Sequence, residues 1–136
     1  KCTKDNSFRI GTKYESGGAG CASTVDDYIK FLEAVRTNKL LKSETVDLLS
    51  TNQLTKEQID MPTYWVQNKR GYGLGQQCPT DDNPRPDFGW GGAAGAHYFI
   101  DRKNNITAYF GTHVLGYDVF YQARERITEI IQGILK

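Results

Sequence analysis

The sequence holds no apolar run near the ~20 residues of a membrane-spanning helix, so no span is read in this segment. It has no excess of charge either: 17 Lys and Arg stand against 16 Asp and Glu, a net charge of +1. With no basic cluster in view, nucleic acid is excluded as an expected partner. Three cysteines, Cys2, Cys21 and Cys78, share no Cys-x-x-Cys spacing, which leaves zinc unsupported. Asp81, Asp82 and Asp87 lack the alternation of a calcium loop. The glycines of "GGAG" and "GYGLG" are followed by no Lys-Ser/Thr, so they are not a phosphate loop. No metal is therefore expected. Nucleophile motifs are missing as well. None of Ser7, Ser16, Ser23, Ser43 and Ser50 has Lys three residues on or lies in Gly-x-Ser-x-Gly, and no Tyr-x-Asn occurs.

What is present suits a folded chain. Apolar residues make up 38% and aromatics 12% of the 136 residues, enough to build a core. The chain opens "KCTKDNS", with neither Met nor a signal-peptide pattern, and reads as a piece of something longer, its compartment open. After the glycine-rich connector from Tyr14, Ser23 and Thr24 are good N-cap residues, and Asp26 and Asp27 supply first-turn charge. Tyr28, Phe31, Leu32 and Val35 then share a helical face, and "RTNK" ends the helix. Cys21, among small residues, is expected to be buried. A second helix starts at Ser43 with Val46, Leu48 and Leu49 as its apolar positions. "TKEQ" from Thr55 is a capping-box pattern.

The segment "GYGLGQQC", Gly71 to Cys78, reads as one glycine-rich strand, and the loop after it carries three of the four prolines. "FGWGG", "AHYFID" and "NITAYFGTH" read as three further strands, with "RKNN" as a hairpin turn. In the last, Ile106, Ala108 and Phe110 face one way, Thr107 and Tyr109 the other. His97 and His113 fall on successive strands and are expected to face outward. A closing helix is capped by Asp118 and carries the stripe Phe120, Ala123, Ile127, Ile130, Ile131 and Ile134. The expected class is α+β: an antiparallel sheet with helices on one face, whose other face and one edge need cover. Glycines inside a strand mark a bend or a close approach, so something is expected to need room beside Gly91 and Gly92.

Four stretches, "SGGAGCASTVDDYIKFLEAV", "LLKSETVDLLSTNQL", "GYGLG" and "FGWGGAAGAHYFIDRKNNITAYFG", occur in an order that closely resembles the carboxy-terminal part of the serine β-lactamase-like hydrolases. That family includes class C β-lactamases, DD-peptidases and related esterases. The resemblance implies a partial β-lactamase/transpeptidase-like fold over residues 1–136, a single partial domain. It implies a parent that forms an acyl-enzyme on a serine, with no metal or organic cofactor. Its substrate would be a small-molecule ester, amide or β-lactam.

In the family a Ser-x-x-Lys motif, a Tyr-x-Asn motif and a Lys-Thr-Gly-like triplet on an edge strand surround the cleft. Here Trp90-Gly91-Gly92 occupies the triplet position, with Trp where Lys or His commonly stands. By position Ala93 carries one of the two oxyanion-hole N–H donors, and substrate lies along Trp90, Gly91 and Gly92 as an added strand. Gly17 and Gly18, in the loop before the first helix, are expected to contact substrate. Without the first two motifs the 136 residues alone are expected to be inactive. They are also expected to self-associate or to pair with an amino-terminal half. The family setting is periplasmic or extracellular. The alternative is a non-catalytic module of this fold that binds peptidoglycan or a protein partner.

Overall fold

A computed structural model describes residues 13–14, 16–18, 20–62, 69–112 and 118–134. The helix α1 spans Val25–Arg36. The Thr24 hydroxyl caps it, accepting the Asp27 N–H at 3.2 Å, with Asp26 and Asp27 in the first turn. It ends where Asn38 takes a positive φ of 58°. The helix α2 spans Ser43–Ser50, and the short α3 spans Lys56–Asp60. The capping box opening α3 is complete. The Thr55 N–H donates to Gln58 Oε1 at 2.9 Å, and the Gln58 N–H donates to the Thr55 hydroxyl at 3.3 Å.

Five antiparallel strands follow in simple order: β1 (Gly71–Tyr72), β2 (Gln77–Cys78), β3 (Phe88–Gly91), β4 (His97–Asp101) and β5 (Ile106–Phe110). The α+β class and the three later strands match expectation. "GYGLGQQC" does not: it is two short strands folded back on each other. The Gly73 N–H donates to the Gln76 carbonyl at 2.8 Å, and Gly75 turns the chain at φ +83°, a region closed to most side chains. Gly73 also packs so close to the Leu49 carbonyl that no Cβ fits.

The register sorts side chains onto two faces. Phe88 pairs with Ile100 and Ile100 with Thr107, while Trp90 pairs with Tyr98 and Tyr98 with Tyr109. This face carries the apolar core, where Leu32 and Val35 of α1 and Val46 of α2 meet Cys78, Phe88 and Ile100. Burying each such aliphatic side chain is worth about 1.5–3 kcal/mol. Tyr28 of α1 completes it, ring to ring with Tyr98 at 5.7 Å and with Tyr109 at 5.1 Å. Phe31 and Leu48, expected in the core, are instead about half exposed.

The opposite face of the sheet carries Gly89, Gly91, His97, Phe99, Asp101, Ile106, Ala108 and Phe110 by the same register. Here α4, Asp118–Ile134, lies against it. The helices thus cover both faces rather than one. The reason is that α4 turns polar residues to the sheet. Arg124 and Thr128 are buried, Thr128 sits against His97, and Gln132 reaches both Asp87 and Asp101. Of the apolar stripe, Ala123, Ile127 and Ile131 are half-buried and Ile130 is exposed; the side chains of Phe120 and Ile134 lie outside the described residues. His97 is buried rather than outward-facing, while His113 and Cys2 lie outside the described residues. Cys21 is exposed, contrary to expectation, because the connector 20–24 runs over the surface. Cys78 is the buried thiol, and desolvation pushes its pKa up to about 11.

Candidate active site

The triplet segment begins inside the sheet and ends at its open side. On one flank β3 pairs with β4 along its whole length, Phe88 to Gly91. On the other flank β2 pairs with it only at Gly89, opposite Gln77. The triplet strand is therefore not an edge strand throughout, as the resemblance implied. Among the described residues, only its end beyond Gly89 has no strand on that flank. The Gly92 N–H donates to the Ala96 carbonyl at 2.7 Å, so Gly92 belongs to a pair bonded toward β4. In an antiparallel ladder the bonding direction alternates, and the backbone of Gly91 faces the open flank.

A tight turn joins β3 to β4. The Gly95 N–H donates to the Gly92 carbonyl at 3.1 Å, and Gly95 has φ +92°. Its Cα face is pressed against the Thr112 hydroxyl, whose O–H donates to the Gly95 carbonyl at 3.2 Å. The two bonds that close this turn use the N–H groups of Gly92 and Gly95. Ala93, between them, is exposed at the turn.

The expected room beside Gly91 exists and is filled from within the protein. A Cβ there would collide with the Arg124 guanidinium, which comes up from α4 and donates to the Gly92 carbonyl. Gly92 is different: the nearest atom to its would-be Cβ is Ala96 Cβ at 3.8 Å, ordinary contact. Trp90, on the α1 face, is half-buried and stands edge-on to Tyr72 at 5.7 Å and 74°. Gly17 and Gly18 sit in an exposed turn closed by the Gly20 N–H on the Ser16 carbonyl at 2.8 Å. Open space surrounds both, and no atom of the β3 turn comes within 4 Å of their Cβ positions.

Beneath the turn lies a polar layer that the sequence did not announce. Asp87 is buried between two arginines, accepting from Arg70 Nη2 at 3.1 Å and from Arg85 Nε at 2.6 Å. Arg85 continues to Glu125 of α4 at 2.7 Å. His97 Nε2 lies 3.3 Å from the Thr128 hydroxyl. Burial and then the Arg124 charge hold the His97 pKa below its ordinary 6.5, which keeps the ring neutral at pH 7. These side chains support β3 and its turn from behind. Among the described residues, no group of three His, Cys, Asp or Glu is placed to hold a metal ion, and no helix is long and apolar enough to cross a membrane.

The Beta-lactamase family model matches residues 3–130, nearly the whole chain. The chain belongs to the β-lactamase family. Among curated relatives, acyltransferase calJ of Penicillium decumbens is 26% identical over 118 residues, covering 72% of this chain and 28% of that protein. Protein Rv1367c of Mycobacterium tuberculosis (strain ATCC 25618 / H37Rv) is 36% identical over 89 residues, covering 57% of this chain and 21% of that protein. The chain thus spans about a quarter of the length of the curated relatives it matches. Family membership accords with the α+β sheet and its flanking helices.

Sequence reasoning singled out Trp90, Gly91, Gly92 and Ala93, which are contiguous at the open end of β3. It missed Arg124 and Asp87. The one available signal for Arg124 was a cation placed between Phe120 and Ile127 in an otherwise apolar helical stripe.

Proposed function

We propose that these residues form the substrate-strand side of an acyl-transfer site in a β-lactamase-family serine hydrolase. The observation that carries this reading is the flank of β3 beyond Gly89, which has no paired strand among the described residues and leads directly to the exposed Ala93. An extended acyl substrate adds along Trp90–Gly92 by backbone bonds, as peptides add to free sheet edges. The Ala93 N–H then donates to the carbonyl oxygen as it becomes an oxyanion. A serine hydroxyl attacks the carbonyl carbon, its proton passes to the departing alcohol or amine, and the ester or amide bond breaks. Water or a second alcohol then takes the acyl group from the serine. The relative named an acyltransferase supports transfer as the reaction class. The serine and its lysine belong to motifs these 136 residues do not contain, so the activity is that of a polypeptide which also carries Ser-x-x-Lys and Tyr-x-Asn.

Trp90 sets the substrate class. It offers an aromatic face and one N–H, with no cation to hold a substrate carboxylate. The favoured substrates are neutral acyl esters or amides, ahead of penicillins and acyl-D-Ala-D-Ala peptides. The test is kcat/KM on a nitrophenyl ester, a penicillin and an acyl-D-Ala-D-Ala peptide, for the complete protein and its Trp90→Lys variant. The wild type should favour the ester, and the variant should shift the ratio toward the carboxylates by roughly tenfold, the size of one charge-assisted hydrogen bond. A wild type that already favours carboxylates, or a folded variant with an unchanged ratio, contradicts the assignment. A complete protein with both motifs intact that turns over none of the three would support the binding-module alternative.

A further inference from the structure

The Gly92 carbonyl and the Ala93 N–H belong to one peptide unit, planar and trans, so they point in opposite directions. The carbonyl is held twice. The Gly95 N–H donates to it at 3.1 Å from within the turn, and Arg124 Nη2 donates to it from α4. The Gly92 N–H also bonds toward β4, at the Ala96 carbonyl. Ladder alternation then directs the Ala93 N–H to the other flank, where β3 has no paired strand beyond Gly89 among the described residues.

Arg124 is a costly choice for a simple staple between helix and turn. The Gly92 carbonyl already has a donor in Gly95, so it is no orphan acceptor in need of a second. Arg124 is 7% exposed, and taking a guanidinium out of water is expensive. To admit it, β3 carries no side chain at Gly91, where a Cβ would collide with Arg124 Nη1. What the second bond adds is orientation and polarity. Gly92 has no Cβ to restrain the adjoining peptide plane, and two bonds to its carbonyl fix that plane where one leaves a pivot. A charged donor also bonds the carbonyl more strongly than a neutral one. It draws electron density toward the oxygen, which makes the N–H of the same peptide a better donor.

We propose that Arg124 is a positioning residue for acyl transfer: through the Gly92 carbonyl it aims and polarises the Ala93 N–H toward the oxyanion. It touches no reacting atom itself. The inference rests on the acyl-transfer reading of Ala93, and its test separates the two. The test is a double-mutant cycle on the complete protein. The kcat and KM for a nitrophenyl ester are measured in Arg124→Met, Ala93→Pro and the double variant, with urea unfolding to confirm that each is folded. Met fills much of the space of arginine and removes the cation. Arg124→Met should lower kcat roughly tenfold, the size of one hydrogen bond. KM should change little, as for an interaction made only in the transition state. In the Ala93→Pro background the same change should lower kcat no further, because no N–H remains to be aimed. An equal loss in both backgrounds would overturn the inference, leaving Arg124 a staple and the acyl-transfer reading intact. A folded Arg124→Met with wild-type kcat would overturn it too. An Ala93→Pro protein with wild-type kcat would refute the reading of Ala93 itself, and the inference with it. Where Arg124→Met does not fold, Arg124→Lys takes its place in the cycle, since its shorter side chain keeps the cation but not the guanidinium fork. A loss of kcat confined to the Ala93 background then supports the inference. A loss common to both backgrounds, or none, overturns it.

Discussion

Gly91 and Gly92 are chemically identical neighbours whose surroundings separate their roles. Gly91 has its would-be Cβ against a buried arginine that is bonded to the next carbonyl; Gly92 meets only Ala96, at ordinary contact distance, on the same test. Gly91→Ala must displace Arg124 and break its bond to the Gly92 carbonyl, at a cost of about 1–3 kcal/mol typical of overpacking. Gly92→Ala meets nothing closer than 3.8 Å and should change stability by well under that amount. Urea unfolding of the two variants checks this directly; equal losses would mean that Arg124 yields freely. The Trp90-Gly91-Gly92 triplet could be read from the sequence because strand glycines are conspicuous. Their reason could not. The partner of Gly91 lies 33 positions away on α4, and an arginine on an amphipathic helix is ordinarily read as solvated.

Among the elements, α1 and the strands β3 to β5 were legible because their signals are local: a Thr24 cap, first-turn aspartates, and period-two alternation in Ile106–Phe110. The β1–β2 hairpin was not, since the same glycines that form its turn blur the alternation on either side. The position of α4 was hidden for a different reason. Its isoleucine stripe suggested the packed side, yet the residues buried against the sheet are Arg124 and Thr128. The polar layer there depends on Asp87, which lies between the Arg70 and Arg85 guanidiniums. Asp87→Ala leaves the buried Arg70 without its anion and the half-buried Arg85 with Glu125 alone, and removing one partner of a buried pair typically costs about 3–5 kcal/mol. The thermal midpoint should fall accordingly, far more than for Asp81→Ala on the exposed loop. Similar midpoints for both variants would show that the layer contributes little to holding α4 in place.

The whole molecule presents its sheet unevenly. β5 ends the strand order, and among the described residues it has only β4 as a partner. All five of its residues are half-buried rather than buried. Such an edge invites pairing, so the 136-residue chain in isolation should associate with itself or retain a second peptide. Light scattering across a dilution series, with mass spectrometry of the eluate, measures this. A compact monomer that survives dilution with no second peptide would show the edge to be adequately protected. The family itself was legible from four ordered stretches, because each carries several residues of one local structure.

Ala93 offers the most direct test of acyl transfer at the β3 turn. It follows Gly92 in a turn closed by the Gly95 N–H on the Gly92 carbonyl, a position where proline is favoured in common turn types. Ala93→Pro therefore removes the N–H while keeping the turn, and Ala93→Gly keeps both. The measurement is kcat for ester hydrolysis by the complete protein and these two variants. The proline variant should lose about 10²–10³ in kcat, the usual effect of removing one oxyanion donor, while the glycine variant stays near wild type. A folded proline variant within threefold of wild type, by the same standard, would contradict the assignment of the oxyanion donor to Ala93.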